Sequence, residues 1–272
     1  MLNPSLVPPI LEKLGFREVP FPDWPGLCSI YFRWSMTVPF DNIQKRLFYS
    51  GSAEGPIPGH NSDHFFREWL AHGTGGTCWS NSHAIHDLLD AMGFSVERVA
   101  ATMLSAPDAV GPTHGSVAAA VDGIRYLVDG SMLTRRPVPF RESALPDPEH
   151  PSERVSMERN DGRWNVLWYP AHRPQGLSCR VEEIGVPLGR FNGYHERTRN
   201  NSNFNNALYI RQNGATGTDT IAFGERLITA PDGSVQRHPI GAPDRTAVLV
   251  EEFGISEEIA YRLPADVHPP AS

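Results

Sequence analysis

The sequence predicts an α+β protein: a helical first third, an antiparallel sheet or barrel in the middle, and a smaller α/β layer at the end. Apolar residues recur at helical spacing up to Met92, short β-branched and aromatic runs separated by turn residues follow as far as Tyr169, and the remainder mixes both textures.

Taken in order, Ile10, Leu11 and Leu14, closed by Gly15, predict a short helix, and a more apolar stretch over 27–38, stopped by Pro39, predicts a second. A third is expected over 63–70, followed by the loop His72-Gly73-Thr74-Gly75-Gly76-Thr77. Ala84, Ile85, Leu88, Leu89 and Met92 then recur at helical spacing until Gly93, so 78–92 should be a helix with one buried face and Cys78 at its N-terminus. Strands are expected over 96–103, 116–121, 124–128, 155–158 and 164–168, with hairpin turns at Asp122-Gly123 and Asn160-Asp161-Gly162. Beyond these lie strands at 206–211 and 221–229, a turn at Pro231-Asp232-Gly233 and a helix-like stretch over 247–253. The 25 prolines concentrate near the N-terminus, in 137–151 and at the C-terminus, where they mark loops and boundaries.

At 272 residues and 40% hydrophobic, the chain can bury a sizeable core. Its formal charge of −7 comes without a Lys/Arg cluster, which argues against a nucleic-acid partner. No stretch approaches the roughly 18 apolar residues of a membrane span, and the first thirty or so residues lack a secretory pattern, so no membrane partner and a cytoplasmic location are expected. Cys28, Cys78 and Cys179 are odd in number and widely spaced, which fits neither a disulfide framework nor a CxxC motif. Each is therefore a free thiol, to be weighed as core residue or nucleophile.

A helix N-terminus favours a thiolate through its free N–H groups and the positive end of the macrodipole. Cys78 has that position, and Gly75-Gly76 before it permit close backbone approach, while the N–H groups of the first turn are a candidate oxyanion hole. The second clue is the hairpin at Asp122-Gly123. Counting outwards from Val121 opposite Ile124 pairs Ser116 with Asp129, His114 with Ser131 and Thr113 with Met132. His114 and Asp129 then share a face as diagonal neighbours, about 7–8 Å apart at the backbone, a gap that imidazole and carboxylate span with a hydrogen bond. A carboxylate that fixes an imidazole, which in turn takes a proton from a thiol, is the logic of a catalytic triad, so Cys78, His114 and Asp129 are the expected catalytic residues. Alone, His114 reads more simply as a strand histidine and Asp129 as a strand-end turn former; their shared face reverses that preference.

Other candidates are weaker. His83 and His86 share a helical face near Cys78, but no further ligand at zinc spacing appears, so no metal site is expected. The Gly-rich stretch 51–59 matches neither a P-loop nor a dinucleotide fingerprint, and Trp69 and Trp79 read first as core.

These residues resemble the arylamine N-acetyltransferase family, whose hallmarks are Arg-Gly-Gly-x-Cys at a helix start, a later Thr-His before a strand, and a Val-Asp ending the next. Here they read Thr74-Gly75-Gly76-Thr77-Cys78, Thr113-His114 and Leu127-Val128-Asp129. Val38-Pro39-Phe40-Asp41-Asn42-Ile43 is similar to the family's Ile-Pro-Phe-Glu-Asn-Leu, and Asn201-Ser202-Asn203-Phe204-Asn205-Asn206, Gly224-Glu225-Arg226-Leu227 and Glu251-Glu252-Phe253-Gly254-Ile255 follow in the order of its third domain. The resemblance implies a helical domain over 1–95 with the nucleophile, a β-barrel domain over 96–190 with His and Asp, and an α/β lid over 191–272. It also implies an acyltransferase with no permanently bound cofactor: acetyl-CoA or another acyl thioester acylates Cys78, and an arylamine, hydrazine or related amine collects the acyl group. Cofactor-binding residues are not assigned by it. Three positions depart from the pattern: Thr74 stands for the Arg, Ser80 for an acidic residue, and Gly130-Ser131-Met132-Leu133 for a Gly-Phe-Gly-like run.

Three alternatives share the scaffold. An amide synthase would draw on a thioester bound to a carrier protein, a transglutaminase-like thiol hydrolase would finish the acyl-enzyme with water or another amine, and a degenerate binding scaffold would lack part of the triad.

Overall fold

The structure, a computed structural model, describes residues 1–104, 111–142, 150–170, 173, 175–200 and 202–267. Parts of the sequence pattern fall outside them, namely Asn201 of the third-domain motif, 143–149 of the Pro-rich stretch and the C-terminal prolines.

The first third is helical. α1 (Val7–Lys13) precedes α2 (Trp24–Thr37), which starts where the Asp23 carboxylate accepts from Gly26 N at 2.8 Å. The chain then forms a two-residue strand, β1 (Phe40–Asp41), and continues into α3 (Ile43–Ser50), α4 (Ser62–His72) and α5 (Cys78–Ala91). Leu27, Ile30, Tyr31 and Trp34 of α2, Phe65, Phe66 and Trp69 of α4, and Ile85, Leu88 and Leu89 of α5 share one core. The apolar spacing that predicted these three helices is the face they bury. Sequence periodicity gave no sign of α3.

The middle is one antiparallel sheet of seven strands. β2 (Ser95–Met103), β3 (His114–Val121), β4 (Ile124–Leu127), β5 (Val138–Pro139), β6 (Val155–Asn160), β7 (Arg163–Trp168) and β8 (Leu177–Ile184) lie in the spatial order β5-β4-β3-β2-β8-β7-β6. Its edge strands β5 and β6 approach one another, so the sheet curls into a nearly closed barrel. The β3–β4 hairpin has the counted register, with Val121 opposite Ile124 and Ala118 opposite Leu127. Asp122 and Gly123 take the left-handed backbone, φ 51° and 76°, that such a two-residue turn needs. Val128 N still donates to Val117 O at 2.8 Å, and beyond it the chain leaves the ladder and turns, so Ser131 and Met132 do not face His114 and Thr113. Instead His114 pairs with Ala101 of β2.

The last layer is a five-stranded antiparallel sheet in the order β1-β9-β10-β11-β12, with β9 (Tyr209–Asn213), β10 (Thr218–Ala222), β11 (Glu225–Thr229) and β12 (Val235–Pro239). Its edge strand β1 comes from the helical third of the chain. α6 (Leu188–Arg197) crosses over from the barrel, and α7 (Ala242–Glu251) and α8 (Glu257–Arg262) supply Leu249, Ile259 and Ala260 to a core shared with Ile43, Leu208, Ile210 and Ile221. The single strand expected over 221–229 is two, because the chain reverses at Phe223-Gly224 with Phe223 at φ 53°. Among the described residues no helix is long and apolar enough to cross a membrane.

Candidate active site

Cys78 opens α5, and three contacts set the loop before it. Gly75 N donates to Asp41 Oδ2 at 2.5 Å, Asp41 N donates to Gly76 O at 3.1 Å, and the Asn81 side-chain amide reaches back to Gly76 O. The loop runs so close to β1 that a Cβ on Gly75 would sit 1.8 Å from Pro39 O. Only glycine fits there. Asp41 is wholly buried, and among the described residues no cation pairs with it; burial raises its carboxyl to about 7 against the two backbone N–H groups, from Ile43 and Gly75, that favour the anion. Thr74, where an arginine was expected by resemblance, is buried and accepts from Gln44 Nε2 at 3.1 Å.

His114 is the first residue of β3, and Asp129 lies two residues past the end of β4. The His114 ring nitrogen Nε2 is 2.7 Å from Asp129 Oδ2, with side chains 8% and 1% exposed. The other carboxylate oxygen, Oδ1, accepts from Ser131 N at 2.9 Å, Ser131 Oγ at 2.6 Å and Met132 N at 2.8 Å. Asp129 is therefore a turn former and a histidine partner at once. The Cys78 sulfur lies 4.0 Å from Thr113 O, the carbonyl next to His114, and Cys78 helps to raise the imidazole. With Nε2 on the carboxylate, Nδ1 is the nitrogen left for the thiol. Burial opposes charging His114, but the Asp129 carboxylate and its hydrogen bond outweigh it and raise the imidazole well above the ordinary histidine range. Burial likewise pushes the Asp129 carboxyl up, and the His114 charge with the Ser131 and Met132 donors brings it below the usual carboxylate range.

The other expected residues go elsewhere. Cys28 is half-buried on α2, its thiol raised by burial and lowered in part by Arg136. Cys179 sits in the barrel core, pushed up to about 12 by burial although His114 opposes this. His83 and His86 both turn to Asp87, at 3.5 and 2.9 Å. Trp79 packs edge-on to Phe191 at 4.8 Å between ring centres.

Several supporting residues carried no sequence signal. Tyr31 Oη donates to Asp129 O at 2.8 Å from α2, and Arg211 of β9 donates to Ser131 O and Met132 O at 2.5 and 2.6 Å. A lone arginine in an apolar strand reads as an exposed position until the neighbouring turn is known.

A helical layer that presents a thiol to a His–Asp pair on the rim of a nearly closed barrel, under an α/β layer, defines a cysteine–histidine–aspartate protein of three-layer build. The family model described as N-acetyltransferase matches residues 23–173, more than half of the sequence. The chain belongs to the arylamine N-acetyltransferase family. An arylamine N-acetyltransferase of Mycolicibacterium smegmatis is 25% identical over 175 residues, covering 58% of this chain and 62% of that relative, so the match spans less than two thirds of the relative's length. Among solved structures, the Mycobacterium marinum arylamine N-acetyltransferase superposes with a TM-score of 0.79 at 16% identity, over 94% of this chain and 98% of that one. The Salmonella typhimurium enzyme gives 0.79 at 14% identity, over 97% and 98%.

Proposed function

We propose that the protein transfers an acyl group from a CoA thioester to an arylamine, hydrazine or related amine through an acyl-enzyme on Cys78, with His114 and Asp129 completing the triad. The observation that carries this is the His114–Asp129 contact at 2.7 Å, with the Cys78 sulfur 4.0 Å from the carbonyl oxygen of Thr113, the residue before His114. Family membership supports the reaction class, and a fold neighbour, the M. marinum enzyme, is known in complex with CoA, which favours a CoA thioester over a carrier-bound one.

In this reading the Cys78 proton passes to His114, and the thiolate adds to the thioester carbonyl. N–H groups of the first turn of α5 receive the developing oxyanion in the same reading. The C–S bond to CoA then breaks, and the leaving thiolate takes the proton from His114. The amine attacks the Cys78 thioester, His114 accepts the amine proton, and Cys78 leaves with it. Asp129 holds the ring and stabilises the imidazolium throughout.

Intact-mass analysis after exposure to acetyl-CoA tests this. One acetyl group per chain is expected on wild type and none on Cys78→Ala, with loss of the label when an arylamine or hydrazine is added. A label that only water removes would replace transfer by hydrolysis, and no label with any thioester would end both readings.

A further inference from the structure

We propose that Lys45 forms an anion-holding subsite beside Cys78, so that the preferred donor is a thioester whose short acyl chain ends in a carboxylate. The inference rests on Cys78 as acyl acceptor. Lys45 lies in the first turn of α3 and is only 5% exposed. Its Nζ donates to Thr198 O at 3.0 Å and Thr198 Oγ1 at 3.2 Å, both uncharged, and among the described residues no carboxylate pairs with it. A buried ammonium with no carboxylate in direct contact is costly, and such a group at the edge of a cleft points to a ligand that completes it.

Lys45 lines the same narrow crevice as Gly76 and Thr77, the two residues before Cys78, and against the burial that lowers it, Cys78 and then Glu196 favour its charge. Three carboxylates lie nearby: Glu196 of α6 is turned to Arg199, Asp41 accepts from Ile43 N and Gly75 N, and Glu68 of α4, on the same crevice, accepts from Gln44 Nε2 at 2.8 Å. His195 of α6 is buried and held neutral, down to about 3, by burial and then by Lys45, His83 and His60. Independently, Trp79 Nε1 and His83 Nδ1, one helical turn apart on α5, are buried and have no partner among the described residues. The crevice beside the nucleophile is thus supplied with a cation, while its carboxylates already accept hydrogen bonds from other groups. A carboxylate brought in on the acyl chain supplies the missing charge. It takes no part in the bond changes, which remain addition of the Cys78 thiolate, cleavage of the C–S bond to CoA and protonation of CoA by His114.

Alkylation of Cys78 by iodoacetate and by iodoacetamide, followed by peptide mass mapping, tests the subsite without any acyl donor. Both reagents need the thiolate, so the ratio of their rates cancels any change in its population. The iodoacetate-to-iodoacetamide ratio is expected to fall about tenfold in Lys45→Met, the scale of one unit charge several ångström away, and to persist in Lys45→Arg. In wild type the ratio should also fall as pH rises through about 8, where Lys45, lowered by burial, loses its charge; Asp41 titrates earlier, at about 7. That series decides the matter if Lys45→Met does not fold. A ratio unchanged in Lys45→Met, or flat across pH 8 in wild type, overturns the subsite. With equal acetyl-CoA and malonyl-CoA, the malonyl adduct should predominate in wild type and lose its lead in Lys45→Met; a dominant acetyl adduct in both overturns the donor assignment. If neither thioester labels Cys78 while the alkylation ratio still responds to Lys45, the anion subsite stands and the acyl-transfer reading is what fails.

Discussion

The His114–Asp129 pair is buried on both sides, and its two charges hold one another in place. Without the carboxylate, burial is the largest remaining influence on the imidazole and acts to keep it neutral. Asp129→Asn is therefore expected to move His114 from well above the ordinary histidine range to below it, as read by NMR titration of the ring protons. A titration that stays high would assign the shift to something other than Asp129. In kinetics, His114→Ala and Asp129→Asn should each cost orders of magnitude in acylation, and the double variant should be little worse than the worse single one, because the carboxylate acts only through the ring. The three cysteines should separate just as cleanly. Cys78→Ala should abolish labelling by thioesters without unfolding the protein. Cys28→Ala and Cys179→Ala should leave turnover within a few-fold, while Cys179→Ala lowers stability by about 1–2 kcal/mol through the small cavity left in the barrel core. Chemical denaturation and steady-state turnover check the two halves of that statement.

At the scale of elements, the segment that decides the geometry is the turn after β4. Its carbonyls at Asp129, Ser131, Met132 and Leu133 accept from Tyr31 of α2 and from Arg211 and Asn213 of β9, so the helical layer and the last sheet together fix where the Asp129 carboxylate points. Arg211→Met leaves two buried carbonyls without donors and should cost about 3 kcal/mol in unfolding free energy. It should also lower the acylation rate, with partial rescue by Arg211→Lys. If stability drops while the acylation rate and its pH profile are untouched, Arg211 only packs the layers. The same turn shows how far the sequence could be read. The Asp122-Gly123 turn and the alternation around it fixed the hairpin register, and so placed His114 and Asp129 near each other. The loss of pairing beyond Val128 could not be read, because it depends on donors more than 75 residues away in sequence. Helices α2, α4 and α5 were legible because each has a wide apolar face. β8 was missed although Leu177-Ser178-Cys179-Arg180-Val181-Glu182 alternates apolar and polar with Cys179 and Val181 inward; the alternation is short, ends at Glu183 and has no turn pair like Asp122-Gly123 beside it. The reversal at Phe223 escaped notice because a phenylalanine in the left-handed region carries no turn signature.

For the molecule as a whole, one buried carboxylate joins the helical layer to the barrel. Asp87 of α5 receives Ser62 Oγ of α4 at 2.9 Å, Arg98 Nη2 of β2 at 2.7 Å and the rings of His83 and His86, and the N-terminal amine lies 3.6 Å away. Burial works to raise its carboxyl, yet the His83 and His86 hydrogen bonds, the His83 charge and Ser62 bring it far below the usual carboxylate range. The sign of the linkage follows. A carboxyl depressed in the folded state contributes stability that is complete above its unfolded value near ~3.9 and is lost progressively as pH falls below that, because the unfolded chain then binds the proton first. Asp129 acts in the same direction. Thermal unfolding measured from pH 7 down to pH 2 should therefore show a steep carboxylate component that begins near pH ~4, below the pH at which the neutral His195 starts to cost stability and the raised Asp41 opposes that loss. In Asp87→Asn the protein should be destabilised at pH 7 by about 3–5 kcal/mol, since Arg98 is left buried beside an uncharged amide. The acid-induced loss should then become shallower, because one of the two buried carboxyls held far below the usual range is gone. An Asp87→Asn variant that unfolds with the wild-type slope between pH 4 and pH 2 would show that the acid sensitivity comes from elsewhere and that Asp87 does not tie the layers through its charge.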